Sequence, residues 1–140
     1  MNRGRRMFRK LFLASAVSLA LVPGASWALG AGGIRTQSAL NEPFSGEIEL
    51  YDVKPDELDT VKVRLASADE FAKAGSARPH FLTRLAFQAR VSPRGDTVVA
   101  VTSREPMREP YLDFLVEISW PKGRLVKGYT VLLDPPVTLN

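Results

Sequence analysis

The sequence has no cysteine, one histidine, two tryptophans and a single long apolar run. Each scarcity excludes something. Without cysteine no disulfide can staple the fold, so stability must come from packing and hydrogen bonds. His80 is the only histidine, and with no cysteine beside it no zinc or copper ligand set can be assembled from the usual residue types. The serines have no histidine partner in any recognisable nucleophile motif. His80 itself stands between Pro79 and Phe81 and reads as a loop residue rather than a general base. No cofactor and no metal are expected, and the chain reads as a non-enzyme.

The one long apolar run is Leu11–Val22. It follows Arg3, Arg5, Arg6, Arg9 and Lys10, and Pro23-Gly24 breaks it. Ser26 and Ala28 then put small residues at the −3 and −1 positions of a cleavage site. This is the pattern of a secretory signal peptide over residues 1–28, with cleavage between Ala28 and Leu29. A run of 12 residues falls short of the roughly twenty that a membrane span needs. Gly4-Arg5-Arg6-Met7-Phe8 has a twin-arginine look, but nothing in the chain needs a preloaded cofactor, so general secretion is expected. No later stretch approaches membrane length, which predicts a soluble periplasmic product with no membrane partner after cleavage.

The leader also carries the positive charge. The full chain has 19 basic and 15 acidic groups, a net charge of +4. Five basic groups and no acidic one lie in residues 1–28, which leaves 14 basic against 15 acidic groups and a net charge of −1. No basic field remains to attract nucleic acid or an anionic membrane. The remaining chain, residues 29–140, suits one domain with a core of its own.

Alternation dominates that domain. In Tyr111–Trp120 the even positions Leu112, Phe114, Val116, Ile118 and Trp120 are all apolar, while Asp113, Glu117 and Ser119 occupy odd ones. Period two marks a half-buried strand. After Pro121-Lys122-Gly123 a second run places Leu125, Tyr129, Val131 and Leu133 on one face, with Lys127 its only polar member. The two apolar faces meet only if odd positions pair with even ones, so the turn holds two or four residues. Four, Pro121–Arg124, is expected. Asp134-Pro135-Pro136 ends the ladder, because proline donates no hydrogen bond.

Similar patterns predict strands over Ile34–Leu40, Phe44–Tyr51, Thr60–Leu65, Thr83–Val91 and Thr97–Thr102. Leu29–Gly33 reads as a mobile, glycine-rich start, and its glycines lack the strand-to-helix context of a phosphate loop. Glu47 and Glu49 are expected to point to solvent rather than to act as a carboxylate pair. A capping box, Ser67-Ala68-Asp69-Glu70, predicts a short helix over Ala68–Ala74 that buries Phe71 and stops at Gly75. The fold class is therefore all-β: an antiparallel, immunoglobulin-like β-sandwich of about seven strands with one short helix. Arg104-Glu105-Pro106-Met107-Arg108-Glu109-Pro110 links two of its strands. Its two prolines and alternating charges make it a candidate rigid docking loop, with Arg104, Glu105 and Arg108 as contact residues.

Four stretches resemble a known family. They are LGAGGIRTQSALNEPFSGEIEL at 29–50, VRLASADEFAKAG at 63–75, RPHFLTRLAF at 78–87 and SREPMREPYLDFLVEISWPKGRLVKGYTVLLDPP at 103–136. In this order they are similar to the N-terminal periplasmic domain of the FimV/HubP family of pilus-assembly and polar-landmark proteins. The resemblance implies a non-enzymatic envelope protein linked to type IV pilus assembly, twitching motility or type II secretion, whose partners are envelope proteins of that apparatus. It transfers no catalytic residue. Typical relatives continue into a peptidoglycan-binding LysM module, a membrane helix and an acidic cytoplasmic region. This sequence ends four residues after Pro136. Peptidoglycan is accordingly not an expected partner, and the alternative expectation is a truncated structural homologue or a fragment of a longer protein.

Overall fold

Alternating sequences bury one face only if two sheets stack, and they do so here. The computed structural model describes residues 29–136. The signal peptide expected over residues 1–28, with Ala28 of its cleavage site, lies outside the described residues. Seven strands are present among the described residues: β1 (Gly30–Thr36), β2 (Pro43–Tyr51), β3 (Lys62–Leu65), β4 (Ala86–Val91), β5 (Thr97–Pro106), β6 (Tyr111–Trp120) and β7 (Gly123–Leu132). They form a four-stranded sheet, in the order β1-β2-β5-β4, and a three-stranded sheet, in the order β3-β6-β7. Every pairing is antiparallel. The immunoglobulin-like all-β sandwich expected from the pattern is the fold observed.

Between the sheets lie Phe44, Ile48 and Leu50 of β2, Val99 and Val101 of β5, and Leu112, Phe114, Val116 and Ile118 of β6, all buried. Tyr129, Val131 and Leu133 close the β7 side. Phe114 stands at the centre. Its ring lies 6.3 Å from that of Phe87 on the opposing sheet and 6.1 Å from that of Tyr129 on the neighbouring strand.

The β6–β7 turn is shorter than expected. Trp120 pairs with Gly123 and Ile118 with Leu125, so only Pro121 and Lys122 are left outside the ladder. The odd-to-even parity holds, but the loop has two residues, not four. Gly123 explains the tighter closure: a Cβ there would stand 2.9 Å from Cζ2 of Trp120. The indole therefore packs over the missing side chain, and glycine joins the strand instead of the turn.

The glycine-rich start is not a loose end. β1 begins at Gly30 and stops at Thr36, earlier at both ends than the expected Ile34–Leu40 strand. Its register against β2 slips by one residue between Ala31 and Ile34, a bulge that Gly32 and Gly33 accommodate. The chain leaves β1 through Ser38 and Leu40 and turns at Asn41, whose φ of 68° is a left-handed conformation that asparagine tolerates.

After β3, Ser67 caps helix α1 (Ala68–Lys73) by accepting from the Glu70 amide. The Glu70 carboxylate does not complete the box; it reaches Arg124 instead, at 2.8 Å. Phe71 is buried and Gly75, with φ 70°, ends the helix as expected. β4 begins at Ala86, not Thr83, because His80–Arg84 winds into a 3₁₀ turn. Pro79 enters that turn, Thr83 Oγ1 donates to the His80 carbonyl, and Leu82 is driven into the core. The other 3₁₀ turn, Pro55–Thr60, carries Pro55 at its first position, as read from the sequence.

Candidate functional site

The 104–110 segment is only partly a loop. β5 continues through Arg104, Glu105 and Pro106, and Pro106 lies opposite Pro43 of β2. Met107 is buried: its amide donates to the Glu42 carbonyl, and its own carbonyl accepts from Asn41. A methionine thus plugs the end of the sandwich where the chain crosses between sheets. Only Arg108, Glu109 and Pro110 remain as connection. Arg104 and Glu105 are neighbours on a strand and project to opposite sides. Glu105 pairs with Arg84 at 3.2 Å, an exposed contact of small energetic value. All three expected contact residues are exposed, but the fold does not gather them on one face.

What lies beside them is apolar. Tyr111 opens β6 directly after Pro110, and its partner across the ladder is Leu132, the last residue of β7. Tyr111 is 53% exposed and Leu132 71%, on the outer face of the three-stranded sheet. The Pro110 carbonyl accepts from the Leu133 amide, so the connection and the end of β7 are held together. A cross-strand aromatic–aliphatic pair in water contributes little to the fold, whereas the same pair at an interface is an anchor.

Two carboxylates expected to face water are buried. Glu117 on β6 is 5% exposed and lies under two guanidinium groups, from Arg64 on β3 and Arg124 on β7. Arg124 also holds Glu70 of α1, so one arginine joins the helix to the sheet. The hydrogen bond from Arg64, then that from Arg124, holds the Glu117 carboxyl below its ordinary value of 4.5. Glu47 on β2 accepts from Gln37 at 3.1 Å and pairs with Arg94 at 3.5 Å. The reason is common to both. Each sits on an inner strand of its sheet, where long side chains reach over it, for Glu117 from the flanking strands and for Glu47 from Gln37 just past β1 and Arg94 in the β4–β5 turn. Glu49 remains partly exposed, with Arg35 at 3.6 Å and the Tyr51 hydroxyl donating to it at 3.0 Å.

At the opposite end of the sandwich is an open cleft of about 920 Å³. Leu29, Leu50, Val53, Val61 and Trp120 line its apolar part, and Asp52, at φ 60°, stands at its rim. Its charged neighbours are of both signs, Asp52 and Glu57 with Lys54 and Lys122, and set no preference for an ionic ligand. His80 is exposed at the start of its 3₁₀ turn. Among the described residues no group of three His, Cys, Asp or Glu side chains is placed to hold a metal ion.

Compared with known families, residues 29–136 match the one described as FimV N-terminal domain Ig-like domain. The match covers every described residue. The chain belongs to the FimV N-terminal Ig-like domain family. It is 48% identical over 129 residues to the "Motility hub protein FimV" of two strains of Pseudomonas aeruginosa. That alignment covers 92% of this chain but 14% of the relatives' length. No solved structure matches the chain.

In this FimV N-terminal domain the apolar pair on the outer face of β6 and β7 follows from the turn length. A four-residue β6–β7 turn would set Tyr111 opposite Asp134; the two-residue turn sets it opposite Leu132. The available signal was Tyr111 itself, an aromatic on the otherwise polar odd face of β6.

The Glu117 cluster predicts how the FimV-like domain responds to acid. A carboxyl whose pKa is lowered by folding contributes stability above its unfolded value and loses it as pH falls through the folded one. Melting temperature is therefore expected to fall as pH drops below 4.5, with Glu70, lowered mainly by its bond from Arg124, adding in the same direction. Glu117→Gln should lower the neutral-pH melting temperature and flatten this acid limb. An unchanged acid limb in a thermal-melt series would show that Glu117 does not carry it.

Proposed function

We propose that this domain is a non-enzymatic, periplasmic protein-interaction module serving type IV pilus assembly, twitching motility or type II secretion. Family membership and the printed name of the Pseudomonas relatives, a motility hub, support the apparatus. The observation that supports binding is the Tyr111–Leu132 pair, two large apolar side chains left in water beside Arg108 and Glu109. Contiguous apolar surface with a charged rim is how protein partners are held. The partner on this reading is an envelope protein that offers an apolar side chain to this pair. Exposed Arg108, two residues before β6, then sets orientation and association rate more than affinity. The leader over residues 1–28 delivers the domain to the periplasm.

A photo-crosslinking amino acid at position 111 or 132, in the native host, tests this. Mass spectrometry of the adducts should recover pilus or secretion components. Tyr111→Ser with Leu132→Ser should cut capture by about thirtyfold, the scale of an anchor worth 2 kcal/mol. The triple change at Arg104, Glu105 and Arg108 should reduce it less and leave the melting temperature unchanged. No adduct from a folded, exported protein would overturn the reading and leave a structural segment of a longer FimV-like protein.

A further inference from the structure

β7 is an open edge of the three-stranded sheet: among the described residues only β6 pairs with it. The phase of that ladder is fixed at its end, where the Leu133 amide donates to the Pro110 carbonyl. Odd residues of β7 therefore turn both backbone groups to β6, and even ones turn theirs outward, because antiparallel pairs alternate in this way. The Asp134 carbonyl, an even one, is met from that outer side by the Leu40 amide at 2.8 Å. Before it the N–H and C=O groups of Gly128, Thr130 and Leu132 face outward from three exposed residues, with no backbone partner among the described residues. Natural edges are blocked against strand addition by outward lysine, proline or a bulge. Residues 126–132 have none of these. Lys127 lies inward, and its ammonium is satisfied by the Ala31 and Gly32 carbonyls at 2.6 and 3.3 Å.

We infer that two copies of this chain pair antiparallel through these edges, joining their three-stranded sheets into one continuous sheet. The outward groups set the register. A twofold axis at Thr130 pairs Gly128 with Leu132 of the second copy, Thr130 with Thr130, and Leu132 with Gly128, in about six hydrogen bonds. The side chains then fit. Leu132, 71% exposed in one chain, comes to lie opposite a residue with no side chain. Leu115 flanks that space, since a Cβ on Gly128 would stand 3.2 Å from Leu115 Cδ2. Leu132 of one copy therefore meets Leu115 of the other across the glycine. Thr130 faces Thr130, a favourable cross-strand pair, and no like charges are set opposite one another. Each row over the outer face reads Tyr111, Leu132, then Gly128 and Leu115 of the second copy. The apolar pair of the proposed function is thus completed by a residue of the second copy, and in this the inference rests on that reading, with Tyr111 left open to the envelope partner. A second copy suits the edge better than an unrelated strand, because β7 itself supplies glycine at the position where its leucine must be received.

Sedimentation of the chain purified from its host, over a wide range of concentration, should show a monomer passing to twice its mass. Thr130→Pro removes an outward N–H and no bond to β6, so it should raise the dimer dissociation constant by about tenfold or more. Thr130→Cys places the dimer's two cysteines face to face in a chain that otherwise has none. Hydrogen-bonded Cα atoms there stand about 5.5 Å apart, within disulfide reach, so air oxidation should lock a covalent dimer. Asp113→Cys, one strand further in on the same face, should not lock. A chain that stays monomeric and does not crosslink through Thr130→Cys would overturn the inference. Adducts of such a monomer with an envelope protein, from a photo-crosslinker at position 132, would assign the edge to that protein and leave the proposed function standing. A dimer that Thr130→Pro leaves intact and Thr130→Cys does not lock would lie on another surface and overturn the inference equally.

Discussion

Phe114→Ala is expected to destabilise the domain by about 3–5 kcal/mol, the usual range for deleting a large buried ring. Phe114 is 1% exposed and its ring contacts aromatic partners on both sheets. The loss combines the transfer of the ring with a cavity that Phe87 and Tyr129 cannot both collapse into. For a domain of this size it corresponds to a melting temperature lower by roughly 15–25 °C. Tyr111→Ala, on the same strand but 53% exposed, should shift it by no more than about 2 °C. Thermal melts of the two variants check the claim. Equal shifts would mean that the inward and outward faces of β6 are misassigned.

Ile118→Asp should abolish folding at 25 °C. Ile118 has no exposed surface, and an unpaired carboxylate there costs several kcal/mol beyond the lost isoleucine. That sum rivals the about 5–15 kcal/mol that small domains have in total. Trp120→Asp, two residues on along the same apolar face, should be milder. Trp120 is only half-buried and lines the open cleft, so the new carboxylate reaches water, and the loss is chiefly the indole contact with Gly123. Circular dichroism should show an unfolded Ile118→Asp chain beside a folded, less stable Trp120→Asp chain. A folded Ile118→Asp would refute the core assignment at that end of the sandwich.

The two substitutions mark where pattern stops being informative. Period-two alternation places Ile118 and Trp120 on one face, and both do point there. It says nothing of how far along the strand the opposing sheet extends, and the core thins at Trp120 into the cleft. Glu117 shows the converse. Its odd position assigns it correctly to the outer face, but an outer face is not always wet. Arg64 and Arg124 arrive from strands distant in sequence and cover it.

Chain-local physics was readable from residues: strand periodicity, the Ser67 cap, Gly75 as helix stop, Pro55 as helix start. These depend on neighbours within a few positions, which a sequence displays directly. The seven-strand count and the family resemblance were readable for the same reason, as sums of local signals. Register was not. The β6–β7 turn has two residues because an indole needs the space above Gly123, and that contact exists only once the strands pair. From it follows the Tyr111–Leu132 patch. The apparently loose Leu29–Gly33 start is ordered by donors on β7, Lys127 and Tyr129, that reach its Ala31 and Gly32 carbonyls from about a hundred residues away in the chain. Only tertiary structure decided these features, because each is set by which distant residues meet.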